Sequence, residues 1–406
     1  MIQFPKDFLW GAATSAHQVE GNNVNNDWWE WEKRVGLKET SGLACRHYEL
    51  YKYDFDLAKS LNHNAHRLSI EWSRVEPKEN SFSQQEIEHY IDVILALKAR
   101  GLEPVVTLHH FTNPLWFIKT GGWQNKNAYD YFLRYVSKIV EALADKVNYW
   151  VTINEPMVYV YYGFILGLWP PQEKSFLKGM RVKENLAIAH TKAYRLIHSI
   201  YKKRNLPPAH VSIAQNVQAF TPCNSALKNR FAAYLRNRIF NFEFIVRLIR
   251  SKSLDFIGIN YYTRGLVDVD GWAFRHMAHD TCKKNHLPLK KNSLGWDIYP
   301  QGIYNLLIRF KKYNLPIFIL ENGICIEDDN IRWNFIYEHL NNVHRAMQEG
   351  SKVLGYIYWS LIDNYEWDKG YGHRFGLIEV DYSNFGRIVR ESAKKLSSVC
   401  KTGILE

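Results

Sequence analysis

Residues 317–323 read IFILENG: an apolar run, then Glu321, Asn322 and Gly323. A short run of β-branched and aromatic residues is the pattern of a buried strand. A carboxylate at the tip of such a strand is costly unless it is paired or used. Residues 149–156, YWVTINEP, have the same build and end on Asn154, Glu155 and Pro156. Either Glu alone reads equally well as a salt-bridged residue at the mouth of a barrel. Two strands that each end in a carboxylate point to a two-carboxylate active site.

Working outward, the strand pattern recurs at 8–15, 64–70, 103–109, 148–154, 211–216, 255–260, 316–321 and 353–359. Amphipathic helical patterns fill the gaps, at 48–61, 84–100, 127–143, 185–202 and 332–350. In the second of these Ile87, Ile91, Ile94, Leu95 and Lys98 fall on one face, and Gly101 ends it. Eight strands in alternation with helices predict an α/β (β/α)₈ barrel. With no linker or compositional break, one domain over 1–406 is expected. An open doubly wound sheet is the alternative, but it normally carries a glycine-rich phosphate loop after its first strand, and none is seen here. Barrel enzymes keep their chemistry at the C-terminal ends of the strands. At those positions stand Gln18, His109, His110, Asn154, Glu155, Tyr261, Tyr262, Glu321 and Trp359.

Composition narrows the classes. Of the 406 residues 46% are hydrophobic and 23% charged, an ordinary globular balance. Aromatics are plentiful, with fourteen Trp and 25 Tyr; most are expected in the core, and the excess of Trp also suits a cleft that stacks on flat apolar faces such as sugar rings. The net charge of +11 comes from dispersed residues such as Lys202, Lys203, Arg204, Lys283 and Lys284. No basic run is interleaved with aromatics, so no nucleic-acid partner is expected. Cys45, Cys223, Cys282, Cys325 and Cys400 are odd in number and lack ligand spacing, which argues against a disulfide framework or a zinc site and for a reducing compartment. No signal-peptide pattern and no bilayer-length apolar run is present, so a soluble cytoplasmic protein without a membrane partner is expected.

The segments FLWGAATSAHQVEG, HRLSIEWSR, VTLHHFTNP, TINEP, DFIGINYYT, ILENG and YWSLIDNYEW followed by RFGL, in this order from end to end, resemble glycoside hydrolase family 1, the retaining β-glucosidases and β-galactosidases. The resemblance implies double displacement between two carboxyl groups about 5–5.5 Å apart. It implies Glu155 as acid/base and Glu321 as nucleophile, with Arg67 and Tyr262 holding the nucleophile charged and Asn154 bonding the sugar 2-hydroxyl. It implies sugar recognition by Gln18, His110, Trp359, Glu366, Trp367 and Phe375, and a leaving-group platform at Trp296, with Trp169 nearby. It implies a small-molecule β-glycoside as partner, and no cofactor or metal, since two carboxylates suffice. An acidic Glu366 disfavours a 6-phospho-sugar.

The chain departs from the family pattern in places. Phe111 replaces the usual Trp after the sugar-binding His and loses an indole donor. Met157 stands where a Trp often lines the leaving-group site. Arg46 replaces an Asp before HY. The region 221–253 is abbreviated, which predicts a more open leaving-group side. Transglycosylation through the same intermediate remains a rival to hydrolysis. A glycan-binding protein on a dead scaffold is a third reading, disfavoured because Glu155 and Glu321 are both intact. Sequence leaves the preferred sugar, the leaving group and the oligomeric state open.

Overall fold

The computed structural model describes residues 2–269, 282 and 289–406; Lys283 and Lys284 lie outside these. Eight parallel strands close into a barrel: β1 (Leu9–Ala13), β2 (Ala65–Ser69), β3 (Glu103–Thr107), β4 (Tyr149–Asn154), β5 (His210–Pro222), β6 (Ile257–Val267), β7 (Ile317–Asn322) and β8 (Val353–Trp359). β8 returns to β1 through the register Leu9↔Gly355 to Ala13↔Trp359. The expected strands are all present, within a residue or two at most ends. β5 and β6 are the exceptions. They run on past the barrel and stay paired from Val217↔Tyr261 to Pro222↔Val267.

Inside the barrel, small and large side chains interdigitate: Ala13, Ala65 and Ala214 leave room for Phe256, Phe318 and Ile357. Outside, the apolar faces of the helices bury the other side of each strand. The longer ones include α1 (Asp27–Val35), α2 (His47–Ser60), α3 (Gln84–Ala99), α4 (Ala128–Leu143), α5 (Phe176–Lys203), α6 (Leu227–Arg236), α7 (Phe244–Arg250), α8 (Gln301–Lys311) and α9 (Asp329–Gln348). α5 starts nine residues before the expected 185, because Ser175 caps it by accepting from the Lys178 N–H.

The abbreviated region 221–253 is largely helical: α6 and α7 are joined by a π-helical segment, Asn237–Glu243, which brings Phe240 to the barrel mouth. Among the described residues no helix is long and apolar enough to cross a membrane.

Candidate active site

The two strand tips are built differently by their motifs. Glu155 follows β4 with left-handed backbone, φ 43°, and Pro156 starts a short helix, Pro156–Val160, directly behind it. That turn lifts the carboxyl out of the strand and over the barrel. At β7, Glu321 is still in the strand, and its neighbours fix it. Asn322 Nδ2 donates to Tyr261 O at 2.6 Å, and Tyr356 Oη donates to Asn322 Oδ1 at 2.7 Å. A Cβ on Gly323 would lie 1.9 Å from the Trp359 carbonyl oxygen, so only glycine lets β7 and β8 approach here.

Both carboxyls are buried, Glu155 at 7% and Glu321 at 4% exposure, but their partners differ. Arg67, inside the barrel on β2, pairs through Nη1 with Glu321 Oε1. Its Nη2 donates to Asn154 Oδ1 at 2.7 Å and its Nε to Thr107 Oγ1 at 3.1 Å. One planar guanidinium thus links the tips of β7 and β4. Tyr262 Oη donates to the other oxygen of Glu321 at 2.5 Å. Glu155 Oε1 meets only neutral amides, Asn216 Nδ2 at 3.0 Å and Asn260 Nδ2 at 2.8 Å. Burial, and next the charge of Glu321, push Glu155 up to about 8. Burial raises Glu321 as well, but Arg67 and Tyr262 pull it back, so of the two it is the one that keeps the charge.

A cavity of about 610 Å³ opens over this pair. Gln18, His110, Phe111, Asn154, Glu155, Tyr262, Trp296, Glu321, Trp359, Glu366, Trp367 and Phe375 all line it, and Arg67 lies beneath. Trp359 and Trp367 are each stacked near His110, at 6.1 and 6.2 Å. Gln18 Nε2 reaches Tyr365 O at 2.9 Å and Glu366 Oε2 at 3.3 Å. Burial, and next the charge of Glu321, raise Glu366 to about 8. His110 is kept neutral by burial, and its Nδ1 is buried with no partner among the described residues. Together these groups offer flat apolar faces, uncommitted polar atoms and a charged carboxylate opposite a protonated one. Such a cavity can hold a pyranose ring between a nucleophile and an acid.

The model of glycosyl hydrolase family 1 matches residues 1–251 and 245–404. The chain belongs to glycosyl hydrolase family 1. It is 31% identical to β-glucosidase A of Thermotoga maritima over 451 aligned residues, covering 100% of this chain and 99% of that one. A β-glycosidase from Pyrococcus horikoshii superimposes with a TM-score of 0.91 at 40% identity, covering 100% of this chain and 96% of that one. A Thermotoga maritima β-glucosidase solved with deoxynojirimycin superimposes at 0.92 with 29% identity, covering both chains fully. The chain is a glycoside hydrolase of the β-glycosidase type.

This family 1 site also holds residues that the sequence reading passed over. Asn216 and Asn260, which bond Glu155, end the strands expected at 211–216 and 255–260, as Asn154 ends the fourth; in the structure β5 and β6 run on past them. The signal was there, a polar residue at a strand tip, but it was applied only to side chains with obvious chemistry. Gln218, Phe240 and the buried Arg264–Asp297 pair (2.8 Å) also line the cavity, carried there by the extensions of β5 and β6 or by the loops beyond. Trp169 lines it as expected. Met157 turns into the core, and Val158 takes the lining position.

The cysteine expectation needs correcting. Cys223 and Cys282 form a disulfide, 59 residues apart in sequence with Cα atoms 5.8 Å apart. The β5–β6 extension causes it: Cys223 N–H donates to Val267 O at 2.9 Å and Cys282 N–H to Leu266 O at 3.3 Å, so both flank the end of β6. With Asp268 the two sulfurs also lie close enough to count as a metal donor set, but bonded to each other they act as a covalent clip. The argument for a reducing compartment loses its support.

Proposed function

We propose that this family 1 enzyme is a retaining exo-β-glycosidase in one catalytic domain, a β-glucosidase with room for galactose or fucose, acting on non-phosphorylated substrates. The observation that carries the reading is the unequal pairing of the two buried carboxyls. Glu321 has a guanidinium and a phenol; Glu155 has two amides and a proton near neutral pH. In the first step Glu321 attacks the anomeric carbon while Glu155 gives its proton to the leaving oxygen. Glu321 then carries the sugar as an ester and no longer repels Glu155. The pKa of Glu155 falls, and it takes a proton from the water that releases the β-sugar. Asn154, oriented by Arg67, bonds the sugar 2-hydroxyl, a contact that strengthens in the transition state.

The preference for unphosphorylated sugar now has a different basis. Glu366, raised to about 8, carries little charge near neutrality. The cations in the wall, Lys369 and Arg264, are spent on Asp368 and Asp297. A 6-phosphate would therefore meet no free cation among the described residues while facing Glu321. The leaving-group side, between Trp296, Trp169 and Phe240, is the wider part of the cavity in this proposal. The test is hydrolysis of aryl β-glucoside, β-galactoside, β-fucoside and β-mannoside beside their 6-phospho forms. The unphosphorylated glucoside should be among the best. A 6-phospho-glycoside turned over faster than its parent sugar would contradict the reading.

A further inference from the structure

Several buried carboxylates stand outside the mechanism above, and Asp27 is the one whose two oxygens both turn to the chain segment behind the sugar-facing wall. Asp27, first residue of α1, is 7% exposed, and the titratable groups facing it are Glu71 and His17. A carboxylate buried without a lysine or arginine beside it is costly, so its bonds indicate its purpose. Both oxygens serve one residue. Asp27 Oδ1 accepts from the Asn113 backbone N–H at 2.8 Å and Oδ2 from Asn113 Nδ2 at 2.8 Å, while the Asp27 N–H donates to Asn113 O at 3.0 Å.

Asn113 closes the turn that carries His110 and Phe111 into the cavity. It is fully buried, and its Nδ2 also donates to Phe111 O at 3.0 Å and Tyr159 Oη at 3.1 Å. Its Oδ1 accepts from Trp123 Nε1 at 2.9 Å, with His109 Nε2 at 3.0 Å. Phe111 has φ 71°, left-handed backbone that a bulky residue keeps only when its surroundings over-determine it. The carbonyl that Asn113 holds belongs to that residue. α1 braces the second sugar-facing turn as well. Trp28 packs on Trp367 at 4.5 Å, and Glu32 Oε1 holds His17 Nε2 at 2.9 Å, with His17 stacked on Trp367 at 5.7 Å.

We propose that Asp27 is a positioning residue: through Asn113 it fixes the His110–Phe111 turn in the geometry that grips the sugar. This rests on the cavity being a glycoside site. Asparagine would not replace it. Both Asp27 oxygens face N–H donors from Asn113, so an amide in the same volume sets N–H against N–H and loses one of the two bonds.

A double-mutant cycle of Asp27→Asn with His110→Ala tests this, read in kcat/KM for an aryl β-glucoside, in Kd for deoxynojirimycin and in Tm. Alone, Asp27→Asn lowers kcat/KM by about 30-fold, mostly through KM, and weakens the inhibitor about 10-fold, the scale of leaving one buried donor without its acceptor. In the His110→Ala background the same change costs less than about 3-fold in both, because the turn has lost its sugar-bonding side chain and keeps only the apolar face of Phe111. Equal losses in both backgrounds overturn the proposal and leave Asp27 a stability residue. Asp27→Glu keeps the charge but displaces Asn113; it shows the same coupling at smaller size, and covers the case that Asp27→Asn does not fold. If the wild type binds the inhibitor yet hydrolyses no β-glycoside, the proposed function fails, while the Kd cycle still decides the role of Asp27.

Discussion

The tips of β4 and β7 carry the same functional group in opposite electrostatic settings. Glu321 stays in its strand, against Arg67 from across the barrel and Tyr262 from the next strand. Glu155 is lifted out on a left-handed residue and meets only Asn216 and Asn260. Burial acts on both. What separates them is a cation paired with one side only, and in the proposed function that asymmetry makes one the nucleophile and the other the acid.

The largest effect that would sharpen the contrast is at Glu321. Glu321→Gln should reduce hydrolysis of every substrate by roughly 10⁴-fold or more, the scale of removing a nucleophile. Steady-state rates on aryl and alkyl glucosides check it, and a loss confined to poor leaving groups would reverse the assignment. Next is Glu155→Gln. Its cost should track the leaving group, about 10²–10⁴-fold for an alkyl glucoside and far less for a dinitrophenyl one. Added azide should restore turnover of Glu155→Gly and give a β-glycosyl azide; an α-azide would break the account.

Tyr262→Phe should cost less, about 10-fold in kcat/KM, for one bond to a charged group. It should also move the acidic limb of the pH–rate profile upward, since losing the phenol donor raises Glu321. An unmoved limb would mean that Arg67 alone sets that charge.

The smallest effect is on stability. Glu155 is raised from 4.5 to about 8 in the fold, so between those values the folded state binds more protons than the unfolded chain, and stability falls as pH rises. Tm measured across that window should decline less steeply in Glu155→Gln than in the wild type. The basic limb of kcat/KM should fall near 8 as well, because the same proton is the catalytic one.

The repeating strand pattern and its two carboxylate tips make the barrel, and the meeting of Glu155 and Glu321 in one cavity, legible in the sequence. The motifs did so because each encodes a local need: the Pro of NEP starts a helix behind Glu155, and the Gly of ENG admits the Trp359 carbonyl. Less could be read where the outcome depends on partners far apart in sequence. Nothing local in HRLS says that Arg67 spans β4 and β7, and nothing near Cys223 says that β6 will bring Cys282 to it. The α6–α7 stretch reads as abbreviated from its length alone, and length does not say that the remaining residues fold as helix against β5.

The most direct test is the anomer first released from an aryl β-glucoside, followed by NMR before mutarotation. The account predicts β-glucose, formed by two displacements through Glu321. First-formed α-glucose would mean a single displacement, with water activated by one carboxylate, and would contradict the roles given to both strand tips.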